Sequence, residues 1–199
     1  MGSSHPENTP ENPYLAGRLL LAMPQMGDPR FHRAVIFMCA HDENGAMGLV
    51  INNILPGVDL TELLAQLNIN TAPAAETHTA PGPVMSGGPV ETARGFVLHS
   101  NDFFQAETVP INRELSVTGT IDALRAIAAG QGPEKMLFML GYAGWGAGQL
   151  DQEIQDNAWL VAEPDSDIIF KTEPDEKWDR ALKKIGIDPA MLSGESGRA

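Results

Sequence analysis

The chain has 199 residues, 43% hydrophobic and 20% charged, with a formal net charge of -13 and an isoelectric point of about 4.6. That length fits one domain with a sizeable core, and the composition is that of an ordinary globular protein. The negative field gives binding to phosphate backbones no electrostatic driving force and disfavours an anionic membrane surface, so direct nucleic-acid and membrane partners are not expected.

The N-terminus, MGSSHPENTPENPY, lacks the basic start and apolar stretch of a secretory signal, and Pro6 stands where a myristoylation motif needs Ser or Thr. Residues 1–13 are polar with three prolines and are expected to be disordered. No run approaches the roughly 18 apolar residues of a membrane span. A lone cysteine, Cys39, rules out an internal disulfide and fits a reducing compartment. The expected localisation is cytoplasmic.

Order is expected from Tyr14. Leu15 to Met23 reads as a strand ending at Pro24, and Arg33 to Ala40 as a central strand buried on both faces. Asn44-Gly45 signals a hairpin whose partner strand is AMGLVINN. Asp59 with Glu62 resembles a capping box before a short helix carrying Leu60, Leu63, Leu64 and Leu67. Asn68 to Gly82, rich in Ala, Thr and Pro, reads as an exposed loop.

PVMSGGPV, RGFVLHS and LSVTG are further short strands. Thr120 then N-caps IDALRAIAA, with Gly130 at the C′ position. KMLFMLG is a buried strand leading into GYAGWGAG, Gly141 to Gly148, which reads as a shaped junction where glycines permit close approach and Tyr142 and Trp145 offer rigid contact area. A helix from Gln149 to Gln155, a strand in NAWLVAE and a helix from Pro174 to Ile185 close the chain. In that last helix Trp178, Leu182 and Ile185 form the buried stripe. Lys177, Arg180, Lys183 and Lys184, interleaved with acids, read as a solvated face. Strict βαβ alternation is missing, so the order predicts a mixed sheet in an α+β domain with three to four helices.

No catalytic constellation is recognisable. The glycine spacing is G-x-x-G-x-G-x-G and matches neither phosphate-binding fingerprint. Ser86-Gly87-Gly88-Pro89 lacks the frame of a nucleophile elbow and reads as a tight turn. Cys39 and His41 alternate along a strand, which puts both on one side. With Asp42 and His99 they suggest a metal site only weakly, because no zinc spacing is present. No metal and no cofactor is expected.

Three stretches carry a family resemblance: AMPQMGDPRFHRAVIFMCAHDENGAMGLVINN, GGPV followed by RGFVLH, and LGYAGWGAGQLDQEIQDNAWL. With Trp178, IGIDP and LSGESGRA in the same order, the chain resembles the YqgE/AlgH family of bacterial proteins from Tyr14 onward. Ala40, Asn53-Ile54 and Arg198 depart from residues common among those relatives. The resemblance implies one complex α+β domain with a large mixed sheet over residues 14–188, followed by a tail at 189–199. It attaches no reaction to the family. One branch is named for regulation of alginate synthesis, which implies a transcriptional role, though no DNA-binding motif is visible.

Three functional classes follow. The first is a regulatory or interaction protein that binds a small molecule or protein through Gly87, Gly88, His99, Tyr142, Trp145 and Gln149. The second is a hydrolase-like enzyme built from His41, His99, Asp28 and Glu153. The third is a transcriptional regulator, acting indirectly.

Overall fold

Apolar and β-branched runs give ten strands among the described residues, and the sheet is organised around one of the two longest. The computed structural model describes residues 14–72 and 82–192. In chain order come β1 (Leu19–Ala22), β2 (Val35–Asp42), β3 (Gly45–Val50), β4 (Ile54–Asp59), α1 (Leu60–Gln66), β5 (Pro83–Ser86), β6 (Val90–Ser100) and β7 (Val109–Pro110). They are followed by β8 (Leu115–Thr118), α2 (Ile121–Ala128), β9 (Met136–Gly146), α3 (Gln149–Gln155), β10 (Trp159–Ala162), α4 (Ser166–Phe170), α5 (Lys177–Lys184) and α6 (Pro189–Leu192).

The sheet runs β10-β1-β2-β3-β9-β6-β8-β7, with β5 lying parallel to β9 and carrying β4. All other pairs are antiparallel. This is the α+β domain with a mixed sheet that the sequence predicts. Strand β9 joins its two halves: Met136 to Leu140 pair with β6, and Ala143 to Gly146 pair with β3.

The sheet curls, so Leu19, Phe37 and Leu49 share one core with Phe96, Leu98 and Met139, plugged by Ile169, Trp178 and Leu182 of α4 and α5. The outer face of the β1–β3 half packs under α3 through Leu20, Ile36, Met38, Trp145, Leu150 and Trp159. The other outer face packs Val84, Val97 and Phe138 against α1 and α2. Two covered faces explain why VIFM at the start of β2 is fully buried without polar alternation. The helix starts are as chemistry demands: Asp59 accepts from the Glu62 N–H at 2.8 Å, and Thr120 caps α2. Gly130 follows that helix with a positive φ of 77°.

Several expectations need correction. The glycine segment is not a junction that follows the strand but mostly the strand itself: β9 continues through Tyr142 and Trp145 to Gly146, and only Ala147 and Gly148 turn the chain into α3. The Ser86-Gly87-Gly88-Pro89 turn crosses directly over β9. A Cβ on Gly88 would lie 2.1 Å from the Tyr142 carbonyl carbon, and one on Gly141 2.4 Å from the Gly88 oxygen. These glycines permit a backbone crossing.

A bulge between Met38 and Ala40 breaks the alternation of β2. Cys39 packs on the central core with Phe37, while beyond the bulge His41 turns to the α3 side and faces Asp151. Lys177 is not on a solvated face. It is 2% exposed, and its Nζ donates to the carbonyls of Ile51 at 2.9 Å and Ile169 at 2.7 Å. Burial lowers its pKa to about 8. Strands β4 and β7 and helix α4 lack a strong apolar period, and α6 lies inside the expected tail. Residues 1–13 and most of the Asn68–Gly82 loop fall outside the described residues.

Candidate functional site

The end of β9 builds a cleft. Trp145 points from the strand toward α3, where its ring meets Trp159 of β10 edge-to-face at 5.9 Å; Trp159 in turn meets Phe31 at 5.7 Å. Both indoles carry an N–H that must be satisfied when buried. One carboxylate oxygen of Glu153 accepts both, at 2.9 Å from Trp145 and 2.8 Å from Trp159. Its other oxygen accepts from the Gln149 amide at 2.9 Å, and the Gln149 carbonyl oxygen accepts the Gly146 N–H at 3.0 Å. Residues 149 and 153 are neighbours on one helical face, so a single turn of α3 orders the network.

The opposite wall is the turn Pro29–Phe31, capped by Asp28. Arg30 closes on Asp28 through two of its guanidinium nitrogens, Nε at 3.0 Å and Nη2 at 2.6 Å, and holds its carboxyl below the usual carboxylate range. Met26, Pro89, Val90 and Gly144 complete a cleft of about 300 Å³. Asp28 is thus paired with a cation. Among the described residues every donor to Glu153 is neutral, which leaves Glu153 as the carboxylate of the cleft without a cationic partner there.

A second, more open cleft of about 520 Å³ lies on the other face of β9. It is lined by Asp42, Asn44, Met47, Arg94 and Tyr142, and shares Val90, Gly144 and Trp145 with the first. Partial burial and the neighbouring Glu91 carboxylate push the Tyr142 phenol up.

The six residues proposed from sequence do not all meet. Trp145 and Gln149 line the first cleft and Tyr142 the second. Gly87 and Gly88 form the crossing beside them. His99 sits at the far end of β9, opposite Met136. It is fully buried against Phe103 and its Nδ1 donates to the Ser100 carbonyl at 2.9 Å. The ring is therefore the tautomer whose Nε2 accepts from Thr118 at 2.8 Å. Thr118 is bonded in turn to Thr108, and burial lowers the pKa of His99.

Of the hydrolase-like set, Asp28 and Glu153 share the first cleft, whereas His41 and His99 lie elsewhere. The four are not one constellation. Among the described residues no group of three or more His, Cys, Asp or Glu is placed to hold a metal ion. The Cys39 thiol is pushed up to about 12 by burial. The signal that sequence reading missed was the pairing of two tryptophans with one glutamate, since Trp159 and Glu153 are distant from Phe31 and Asp28 in sequence.

Among the described residues no helix is long and apolar enough to cross a membrane. The AlgH-like family model matches residues 19–190. A UPF0301 protein from Rhodopseudomonas palustris is 52% identical over 190 residues, covering 94% of this chain and 87% of that one. Another from Methylocella silvestris is also 52% identical, over 94% of this chain and 92% of its own. The solution structure of the AlgH protein from Pseudomonas aeruginosa matches with a TM-score of 0.74 and 42% identity over 100% of both chains. A crystal structure from Corynebacterium diphtheriae shares the fold at a TM-score of 0.66 and 19% identity, over 92% and 90% of the two chains. This chain belongs to the AlgH-like, UPF0301 family.

Proposed function

We propose that the protein is a binding protein, and that the cleft of Trp145, Gln149, Glu153, Phe31 and Asp28 takes a small organic cation or a cationic side chain. The observation that carries this reading is the state of Glu153. Its carboxylate is held rigidly by two indoles and an amide, all neutral donors, beside aromatic rings and at an open cleft. A preorganised anion next to π-faces is suited to an ammonium or guanidinium group. The chain's charge of -13 adds long-range attraction for such a ligand. Regulation through a partner follows from this reading more directly than hydrolysis does, because neither histidine reaches the two cleft carboxylates.

Calorimetric titration with L-arginine amide tests it. Saturable binding is expected, weakened at least ten-fold in Glu153→Gln and unaltered in Glu62→Gln on α1, well away from the cleft. Equal binding by wild type and Glu153→Gln would contradict the assignment.

A further inference from the structure

The cleft has a floor of main chain as well as walls of side chains. Pairing of β6 with β9 ends where Val90 lies opposite Tyr142. Before Val90 the chain leaves this edge, because Gly88 already crosses against the Tyr142 main chain. On its other side β9 remains paired, with Met47 opposite Gly144 and Gly45 opposite Gly146. Main-chain groups point to alternate sides along a strand. The Gly146 N–H is turned away from β3 and donates to the Gln149 side chain, so Gly144 presents its own N–H and C=O to that same edge. Gln149 thus supplies a side-chain amide where a neighbouring strand would supply a peptide.

The two clefts lie on opposite faces of this edge, and both are bounded by Val90, Gly144 and Trp145. A strand laid along the edge sends successive side chains to opposite faces. Residues directly opposite one another share a face. Gly144 shares its face with Tyr142, so the residue opposite Gly144 points into the cleft of Tyr142, Met47 and Arg94. The residues flanking it point toward Glu153.

We propose that an extended peptide segment adds to the edge of β9 that is left unpaired among the described residues, its main chain bonded to Gly144 and a cationic side chain directed to Glu153. This rests on the cationic-ligand reading of the cleft and deepens it from a small molecule to a polypeptide. Main-chain pairing supplies affinity and the alternating clefts supply selectivity.

The test uses acetyl-Arg-Val-Arg-amide, whose central valine pairs with Gly144 and whose arginines reach the Glu153 side in either strand direction. Its analogue methylated on the valine nitrogen keeps every charge and loses the main-chain donor. The parent is expected to bind the full-length protein more tightly than L-arginine amide, and N-methylation to weaken it at least ten-fold. The Gly144 amide should gain protection from hydrogen exchange with the parent alone. If N-methylation costs nothing, or the tripeptide binds no better than arginine amide, strand addition is wrong while the cleft reading stands. If arginine amide itself fails to bind, the cleft reading falls and this inference with it.

Discussion

Strand β9 carries a polar network at each end, and the two differ in one respect that matters for function. At the Met136 end, His99, Thr118 and Thr108 form a closed chain in which each donor meets an acceptor and the imidazole is fully buried. At the Gly146 end, Glu153 gathers Trp145, Trp159 and Gln149, but its carboxylate borders an open cleft and has no cationic partner among the described residues. A satisfied and sealed network fixes the fold. A network that holds a charge in place at an open surface has something left to offer. Residue type alone misleads here, because histidine suggests chemistry more readily than a tryptophan–glutamate pair does.

Perturbations at the two ends separate these roles, beginning with the largest. Trp145 is 7% exposed and packs on Leu150 and Trp159. Trp145→Ala should therefore destabilise the protein by about 3–5 kcal/mol in chemical denaturation. A loss under ~1 kcal/mol would mean the indole is a surface contact. Next, Gly88→Ala should cost about 3 kcal/mol, since its Cβ would overlap the Tyr142 main chain at a positive φ of 150°. Gly144→Ala, whose Cβ would meet Tyr142 only at an ordinary 3.4 Å, should cost about 1 kcal/mol or less. Equal losses at the two glycines would refute the division between crossing and open edge.

Two effects depend on pH. Lys177 has its folded pKa lowered to about 8, below its ordinary 10.5. Between those values the unfolded state holds the proton that the folded state has shed. Stability should therefore rise with pH across that window, by at most about 1.4 kcal/mol per pH unit, relative to Lys177→Met. A flat difference would show that the ammonium stays charged within its two carbonyls. His99 is also lowered by burial, so the unfolded chain takes up a proton first as pH falls below its ordinary 6.5. Its contribution is complete above that pH and is lost on acidification. The corresponding slope should vanish in His99→Gln, and its persistence would assign the slope to another group.

The elements with a clear period were legible from sequence. The β2–β3 hairpin follows from Asn44-Gly45, and α1 and α2 follow from their caps. Strand β9 was cut short because its glycines read as a junction, whereas Gly141, Gly87 and Gly88 serve a crossing that only a tertiary partner reveals. The burial of Lys177 was hidden because the carbonyls that receive it belong to Ile51, at the end of β3, and Ile169 in α4. The bulge at Cys39 leaves no mark in sequence, yet it reverses which face His41 joins. For the candidate site, Trp145, Gln149, Asp28 and Glu153 were each visible as residues of interest. Their convergence was not, because the Asp28–Phe31 turn meets α3 through tertiary contacts such as the edge-to-face meeting of Phe31 and Trp159.

The most direct test watches both ends of β9 at once. The indole N–H signals of Trp145 and Trp159 and the ring signals of His99 can be followed by NMR during titration with L-arginine amide. Saturable shifts of both indole signals with His99 unmoved are the predicted result. Unmoved indoles, or shifts of His99 equal to theirs, would contradict the claim that the Glu153 cleft is where this protein binds.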